Sequence, residues 1–423
     1  MASYSFTCFL LISFLLSHSD AQPFSSSRPR GVVLPFHKDP STLQYVTEIS
    51  LGTPKVPISL VLDLGGKLAW IHCGQKQQVD SSSYQPVDCK SPQCLLASSN
   101  SVQIPQCCNK TCSISSTNTV TRPTSSGQLG SDVATVQSGY EPGQRPYLWL
   151  RGENVTARRF AFGCGTTSLN GLAKGVNGMA GLGRSGLSLV SQFSAAFHFS
   201  RKFALDFQFG NVYFGGGHYI QETLRPSFIY TPLISNPYNQ DYSTDYYIGV
   251  KSIQIDGENV AIHKKLLSIN RKNGVGGTKF STLLPYTAME TSIYKAFTSL
   301  YVKRAKAMNI TRVASVKPFG ACFNSSTMVT SYPEGLVVPH VNLVLTNDVV
   351  WRVVGAKSSL KYVNDNELCL GFIDGGLKAG TSIIIGGHQL QDNLLEFDIP
   401  RSRVGFSQPL FQLVGPTNQL VVG

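Results

Sequence analysis

The residues best suited to chemistry lie in a short stretch around Asp63. The chain reads Val-Leu-Asp-Leu-Gly-Gly over residues 61–66 and reaches a second apolar run at 68–71. This pattern predicts a buried strand, a tight turn that carries Asp63, and another strand. A carboxylate between apolar strands needs hydrogen-bond donors, because burying it without them is costly. The simplest alternative is a turn aspartate that caps its own loop.

A glycine-rich stretch downstream argues against Asp63 being only a turn cap. Residues 177–183 read Asn-Gly-Met-Ala-Gly-Leu-Gly, so their backbone can pass close to the Asp63 turn. An Asp-x-Gly turn, a tryptophan and then a glycine-rich strand resemble the pepsin-like aspartic protease family, which carries the pattern once in each lobe. The second copy lies at 276–287 and is followed by Ile-Ile-Ile-Gly-Gly at 383–387.

The second copy departs from the family pattern. In the register set by the leading Gly-Gly-Thr and by Tyr-Lys-Ala at 294–296, Ser281 occupies the position of the second aspartate and Leu283 replaces a glycine. In the first copy Leu64 stands where threonine is usual. Aspartic proteases need two carboxylates that share one proton, and a serine hydroxyl cannot act as that acid or base near neutral pH. The residues therefore predict a protease fold without protease activity, in which Asp63 is a relic.

The expected flap gives a second sign of the same kind. The resemblance places the flap over Gly127–Gln137, which the sequence predicts to be a hairpin arm. An active enzyme of the family keeps a tyrosine there, but this chain has none between Tyr84 and Tyr140.

Length and composition favour a two-lobed, mainly all-β protein. The chain has 423 residues, enough for two sizeable cores, and only 14% of them are charged. The resemblance implies the bilobal pepsin-like aspartic protease fold with a few short helices, which we expect at Leu187–Phe197 and Ser292–Met308. The net charge of +12 is scattered along the chain rather than clustered. This favours an acidic partner and argues against nucleic acid.

The ends of the chain predict export. Residues 1–21 contain a short apolar core followed by small residues, as in a secretory signal peptide. No apolar run approaches the roughly 20 residues of a membrane span. We therefore expect a soluble monomer secreted to the extracellular space of the cell wall, without a membrane partner. The predicted segments are the signal peptide at 1–21, an extended lead-in at 22–40, an N-terminal lobe at 41–235 with a cysteine-rich insertion of little regular structure at 74–118, a C-terminal lobe at 236–412, and a tail at 413–423.

Cysteines and glycosylation motifs fit the same compartment. Nine cysteines remain after residue 21, so at least one thiol is unpaired or joins another chain. The cluster at 107–112 has no histidine pair to complete a zinc site, and we expect neither a metal nor a cofactor. Four Asn-x-Ser/Thr motifs predict N-glycosylation, at Asn109, Asn154, Asn309 and Asn324.

A narrower resemblance covers residues 34–407. The motifs at 202–204, 317–323, 369–376 and 382–395 resemble a plant group of extracellular dermal glycoproteins, xyloglucan-specific endoglucanase inhibitors, xylanase inhibitors and basic globulins. That resemblance implies a fold that blocks a secreted microbial glycoside hydrolase with loops of its C-terminal lobe. It also implies the disulfides Cys73–Cys164 and Cys322–Cys369, which leaves the unpaired thiol among Cys89, Cys94, Cys107, Cys108 and Cys112. Asp206 stands where these relatives have a cysteine.

The inhibitory loop differs from that of the relatives. They are expected to carry an arginine after Phe323, whereas this chain has Thr-Ser-Tyr-Pro-Glu at 330–334. The candidates in and beyond this loop are Tyr332, Glu334, Arg401 and Arg403. Ordinary surface arginines explain the last two equally well.

Three functions therefore compete. The first is a secreted inhibitor of an endo-β-1,4-glucanase, a xyloglucanase or a xylanase. The second is a secreted, non-catalytic binding or storage-like globulin. The third, an active protease, would need a substitute acid for Ser281. In either of the first two, we expect the Asp63 carboxylate to be held by the backbone of the Gly65–Gly66 turn and by the hydroxyl of Ser281 or Thr282.

Overall fold

Strands dominate the computed structural model, which describes residues 29–73, 80–98, 107–108, 110–140, 150–216, 228–236, 238, 243–331, 335–353 and 355–407. In the first half the strands are β1 Gly31–Lys38, β2 Tyr45–Leu51, β3 Val56–Asp63, β4 Trp70–His72, β5 Gln85–Pro86, β6 Cys107–Cys108, β7 Thr111–Thr117, β8 Thr124–Tyr140, β9 Leu150–Gly165, β10 Gly178–Gly181, β11 Lys202–Asp206 and β12 Asn211–Phe214.

The second half begins at β13. Its strands are β13 Ile229–Ile234, β14 Tyr247–Ile248, β15 Val250–Ile255, β16 Glu258–Asn259, β17 Thr278–Phe280, β18 Thr287–Met289, β19 Arg312–Val313, β20 Cys322–Asn324, β21 Thr330–Ser331, β22 Gly335–Leu336, β23 Val341–Leu345, β24 Val350–Val353, β25 Leu360–Tyr362, β26 Glu367–Leu370, β27 Phe372–Asp374, β28 Ile383–Ile385, β29 Leu394–Asp398 and β30 Arg403–Phe406. The helices are α1 Pro92–Ser98, α2 Leu189–Phe197, α3 Lys264–Leu267, α4 Thr291–Ala307, α5 Gly355–Ser359 and α6 Gly387–Leu390, with a 3-10 turn at Ser325–Thr327. The expected mainly all-β architecture with a few short helices is confirmed.

One antiparallel sheet joins the two halves of the chain. Its strand order is β1, β12, β11, β29, β30, β13, so strands from the end of the chain pair directly with strands of the first half. At the junction Phe203 of β11 lies opposite Phe397 of β29, and their stacked rings are 4.8 Å apart. Both side chains are fully buried. Burying each contributes about 2–3 kcal/mol, so the junction is part of the core rather than a loose interface.

Two segments differ from the sequence-based expectation. Residues 31–38, assigned to the lead-in, form β1, because Val32, Leu34 and Phe36 alternate into the core. The insertion at 74–118 contains α1 and β5–β7 rather than irregular chain. The segment 413–423 and residues 1–21 lie outside the described residues.

The predicted flap is also displaced. Residues 127–137 lie within the single long strand β8, and the hairpin is formed by β7 and β8 around a turn at 118–123. Gly127 marks a close approach of two strands, since a Cβ there would lie 2.4 Å from the carbonyl oxygen of Cys164. A glycine of this kind is easily mistaken for a turn signal.

Disulfides tie down both halves. The structure has Cys73–Cys164 and Cys322–Cys369, the two pairs that the resemblance implies, and also Cys94–Cys112. Cys89 is disulfide-bonded as well. Of the cysteines predicted to include the unpaired thiol, Cys89, Cys94 and Cys112 are therefore bonded. The side chains of Cys107 and Cys108 lie outside the described residues. No helix in the described ranges is both long and apolar enough to cross a membrane.

Asp206 is a buried carboxyl at the end of β11. Its Oδ1 accepts hydrogen bonds from the backbone N–H groups of Gln208 and Phe209, each at 3.1 Å. Within the described chain its Oδ2 has no hydrogen-bond partner. Burial raises the pKa of Asp206 to about 6, although the two N–H groups oppose the shift.

Asp206→Asn should stabilise the protein at neutral pH. A folded-state pKa raised from 3.8 to about 6 means that stability is fully present below pH 3.8 and is lost as pH rises through 6. This loss amounts to about 3 kcal/mol. The variant should therefore gain stability over the parent above pH 6 and no such advantage near pH 3.8, as measured by urea unfolding at both values. The exposed Asp365→Asn serves as the control for removing one negative charge, and an equal gain at both pH values would contradict the assignment.

Candidate functional site

The Asp63 turn is built by three strands and two glycine backbones. β3 ends at Asp63, β4 returns from the turn, and β10 pairs with both, with Gly181 opposite Asp63. The backbone N–H of Leu182 donates to the carbonyl oxygen of Asp63 at 2.8 Å. A Cβ on Gly181 would lie 2.6 Å from the carbonyl oxygens of Gly66 and Leu68, so only glycine permits this approach.

The second half repeats this unit with Ser281 in the turn. β17 runs parallel to β28 with Phe280 opposite Ile385, and the backbone N–H of Ser281 donates to the carbonyl oxygen of Ile385 at 2.9 Å. A Cβ on Gly386 would lie 2.4 Å from the backbone of Tyr286, the same constraint as at Gly181. Ser281 is the first residue after β17, and Asp63 is the last residue of β3. The two residues therefore hold equivalent places in their turns.

The two turns are joined across the halves by one hydroxyl. Thr282 Oγ1 accepts from the backbone N–H of Leu64 at 3.1 Å and donates to the carbonyl oxygen of Leu62 at 2.7 Å. Leu64 has no hydroxyl with which to return these bonds to the second turn. The link between the turns is therefore one-sided.

The Asp63 carboxylate is enclosed rather than open to solvent. The side chain is 6% exposed. Its Oδ1 accepts from the backbone N–H of Gly65 at 3.0 Å, and its Oδ2 accepts from the hydroxyl of Thr119 at 2.7 Å. Thr119 lies in the turn between β7 and β8, so this hairpin covers the carboxylate.

The prediction that the hydroxyl of Ser281 or Thr282 donates to the Asp63 carboxylate was wrong. Ser281 Oγ instead accepts from the backbone N–H groups of Leu283 and Leu284, at 3.1 and 3.4 Å, which satisfies its own turn. Thr282 bridges the backbones as described above. Only the N–H of Gly65 among the expected donors reaches the carboxylate.

A second carboxylate lies beside the turn but is already paired. Asp245 Oδ2 is 3.0 Å from Lys279 Nζ, and both side chains are less than one-third exposed. A Cβ on Gly65 would lie 2.3 Å from Asp245 Oδ1 and 3.8 Å from Asp63 Oδ1, so the two acids flank this glycine. The sequence offers one signal for this pair, a lysine between two buried residues of β17, since lysine is rarely buried unless paired.

The charged groups beside Gly65 change the pKa values of Asp63 and Lys279. Burial raises the pKa of Asp63, the Thr119 hydroxyl opposes the rise, and the Asp245 carboxylate adds to it. Burial alone would lower the pKa of Lys279, but Asp245, Tyr247 and Asp63 together outweigh it and the net shift is upward. Lys279 therefore stays protonated beside Asp245. The geometry provides an ion pair beside one enclosed carboxyl.

The candidate arginines are tied to the fold to different degrees. Arg401 Nη1 and Arg403 Nε lie 3.1 and 3.2 Å from Oδ2 of Asp398, whose side chain is 1% exposed. The Arg403 guanidinium also stacks over the ring of Tyr230 at 3.9 Å. Arg403 is 34% exposed and Arg401 66%. Arg403 is therefore held more tightly by the fold than Arg401, and an inhibitory role for either arginine stays a prediction.

The remaining predicted residues fall in several places. Tyr332, Glu334 and Asn109 lie outside the described residues. Asn154 and Asn309 are exposed. Asn324 is half-buried and its Oδ1 accepts from the backbone N–H of Ser326 at 3.0 Å, which caps the 3-10 turn.

Thr119→Val should destabilise the protein by about 1–3 kcal/mol, because it leaves one oxygen of a buried carboxylate without its donor. In an Asp63→Asn background the same change should cost less, since a neutral amide is cheaper to leave unpaired. Urea unfolding of the four proteins gives the coupling energy. Thr124→Val is the matched control, because its hydroxyl pairs with Thr117 at 2.9 Å on the exposed surface. Equal costs in both backgrounds would disprove the Asp63–Thr119 contact.

Comparison with known proteins agrees with this geometry. Residues 45–216 match the profile of the xylanase inhibitor N-terminal domain, and residues 245–408 match that of the C-terminal domain. A relative from Nicotiana benthamiana, described as "Probable aspartic proteinase GIP2", is 47% identical over 95% of this chain and 94% of its own.

Solved structures extend the comparison. The crystal structure of edgp superposes with a TM-score of 0.82 at 43% identity, over 91% of this chain and 96% of that one. Basic 7S globulin from soybean gives 0.74 at 30% identity, over 91% and 96%. An aspartic proteinase from Irpex lacteus gives 0.56 at 15% identity, over 90% and 98%, which shows the shared fold alone. The chain therefore belongs to the xylanase inhibitor family, whose fold is that of the pepsin-like aspartic proteases.

Proposed function

We propose that this protein is a secreted inhibitor of a microbial glycoside hydrolase, an endo-β-1,4-glucanase, xyloglucanase or xylanase, and that it does not cleave peptide bonds. The observation that carries the proposal is the pair of equivalent turns in which one holds Asp63 and the other Ser281. Membership in the xylanase inhibitor family supports the inhibitory half of the proposal.

Three features argue against peptide hydrolysis. The reaction needs two carboxyl groups that share a proton around a water molecule. Ser281 stands in the second turn and uses its hydroxyl within that turn. Asp245 does not replace the missing acid, because its Oδ2 is already paired with Lys279 Nζ at 3.0 Å. The Thr119 hydroxyl already donates to Oδ2 of Asp63 at 2.7 Å.

The purified protein should not cleave denatured protein substrates between about pH 3 and 5, where two-carboxylate dyads act. Restoring the acid with Ser281→Asp should still give no cleavage, because Thr119 continues to cover Asp63. The measurement is release of peptides from a denatured substrate with and without pepstatin. Pepstatin-sensitive cleavage by the parent protein would refute this half of the proposal.

The contact surface proposed for the hydrolase is in the C-terminal lobe, around the loop that follows β20. Within this loop Val329 is 68% exposed, and Tyr362 at the end of β25, in the same small sheet as β20, is 54% exposed. The backbone N–H of Ser325 donates to the carbonyl oxygen of Asn366 at 2.8 Å, which joins the loop to the turn between β25 and β26. Exposed apolar side chains on a tethered loop favour protein binding.

The charge of the chain complements the active site of such a target. Glycoside hydrolases cleave sugar bonds with two carboxyl groups, and many basic residues on an inhibitor speed its encounter with an acidic cleft. A cationic side chain can form charge-assisted hydrogen bonds with these carboxylates. Arg401 remains a candidate for this role because its side chain is 66% exposed.

Inhibition should depend on the C-terminal lobe loop and not on the old cleft. Val329→Asp should weaken inhibition by about 2 kcal/mol or more, as for a central interface residue. Arg401→Ala should cost about 2–5 kcal/mol if its charge is buried against the target's carboxylates. Asp63→Asn should leave inhibition unchanged. The assay titrates the protein against secreted xylanases and xyloglucan-active endoglucanases.

The matched control places the same change on the other lobe. Leu95 is an exposed apolar residue of α1, at 59%, and Leu95→Asp should inhibit like the parent protein. Equal loss from Val329→Asp and Leu95→Asp would exclude the proposed surface.

The similarity to basic 7S globulin favours a second candidate, a non-catalytic binding or storage-like globulin. Folded protein that inhibits none of these enzymes at micromolar concentration would support that function instead.

A further inference from the structure

A groove of about 540 Å³ opens on the first lobe where three strands part. β2 pairs with β1 over residues 45–47 and with β8 over residues 50–51. β1 pairs with β8 only at its start, where Val33 lies opposite Gln137. Between these ladders Pro35 has no N–H with which to bridge the gap. The three strands therefore enclose a concave surface rather than a continuous sheet.

Two polar side chains of β8 line this groove without a partner. In the part of the chain that the structure describes, neither Thr135 Oγ1 nor Gln137 Oε1 forms a hydrogen bond, although both atoms are buried. Thr135 is only 6% exposed. A buried polar atom left unpaired is costly and rare in native proteins. These atoms point to an occupant that supplies hydroxyl or amide groups.

The neighbouring strand presents a glycosylation motif to the same groove. In the β8–β9 ladder Asn154 lies opposite Gln137, and Thr156 lies opposite Thr135. Residues opposite each other in a ladder project from the same face of the sheet. Asn154–Val155–Thr156 is an N-glycosylation motif, and Asn154 itself lines the groove. A sugar attached to Asn154 therefore starts opposite Gln137, on the same face of the sheet as Thr135 two residues away.

We propose that the groove seats the inner sugars of an N-linked glycan carried by Asn154. The rim mixes the carboxylate of Glu48 with the cationic groups of Lys55 and Arg151, all exposed, so sugar hydroxyls find both acceptors and donors. The volume falls in the range of small-ligand sites. The inference does not depend on the proposed inhibition, because it concerns how the protein binds its own glycan and not how it binds a hydrolase.

Asn309 provides an internal comparison. It follows the end of α4 with a φ of 59°, is exposed, and lies outside the groove. A glycan on Asn309 has no groove in which to bind, whereas one on Asn154 would be held in the groove. The two sites can be compared within a single protein sample.

The experiment uses the full chain secreted from a eukaryotic host, with glycan occupancy mapped by mass spectrometry of its peptides. Native protein is then digested with peptide N-glycosidase and release is followed at each site. The Asn154 glycan should be released about tenfold more slowly than the Asn309 glycan, which corresponds to about 1.4 kcal/mol of seating. After denaturation both should be released at the same rate. An unoccupied Asn154, or equal release from the native protein, would overturn the proposal.

Variants test the two unpartnered atoms directly. Thr135→Val combined with Gln137→Leu keeps the shape of the floor and removes its hydrogen-bonding groups, so release at Asn154 should rise to the rate at Asn309. Thr124→Val, on an exposed part of the same strand, should leave the slow release unchanged. If the double variant does not secrete, Thr135→Val alone should give an intermediate rate. Slow release that persists in a folded double variant would show that the floor does not hold the sugar.

Discussion

The region between the lobes depends on keeping the Asp63 carboxylate buried. An isolated carboxylate in such a place costs several kcal/mol unless donors surround it. The N–H of Gly65 supplies one donor and the hydroxyl of Thr119 the other. The second donor requires the turn between β7 and β8 to lie on the Asp63 turn. The hydrogen bond that Asp63 accepts from Thr119 therefore also covers Asp63 and separates it from water. As a result, a carboxylate that could act as a base has a structural role.

The sequence predicted this site as far as local pattern reaches. The Asp63 turn and the close approach of Gly181 follow from apolar runs and glycine spacing along a few residues. Thr119 is 56 residues from Asp63, and nothing in its surroundings indicates that contact. Asp245 reaches the turn from the other half of the chain. Such pairs are set by how strands return through the sheet, so periodicity could not reveal them.

Arg401 and Arg403 also show what the sequence alone could not predict. From sequence, Arg401 and Arg403 are equivalent cations two residues apart. Both arginines pair with the buried carboxylate of Asp398, but Arg403 also lies over the ring of Tyr230, while Arg401 keeps most of its side chain in solvent. Breaking a buried pair is costly, and Arg403 would lose its contact with Tyr230 as well if it left Asp398 for a partner. Burial therefore separates structural from available charge where residue type does not.

Two buried groups, Asp206 and His388, have pKa values shifted in opposite directions over nearly the same pH interval. Asp206, with its pKa raised from 3.8 to about 6, adds stability below that range and loses it as pH rises. His388 Nε2–H donates to the carbonyl oxygen of Leu360 at 2.8 Å, and burial lowers the pKa of His388 from 6.5 to about 4. Its contribution is present above pH 6.5 and is lost as pH falls through 4. Each effect is worth about 3 kcal/mol and both occupy nearly the same interval. As pH falls, the stability lost at the histidine is replaced by that gained at the aspartic acid, so the sum stays nearly level where either group alone would give a steep slope.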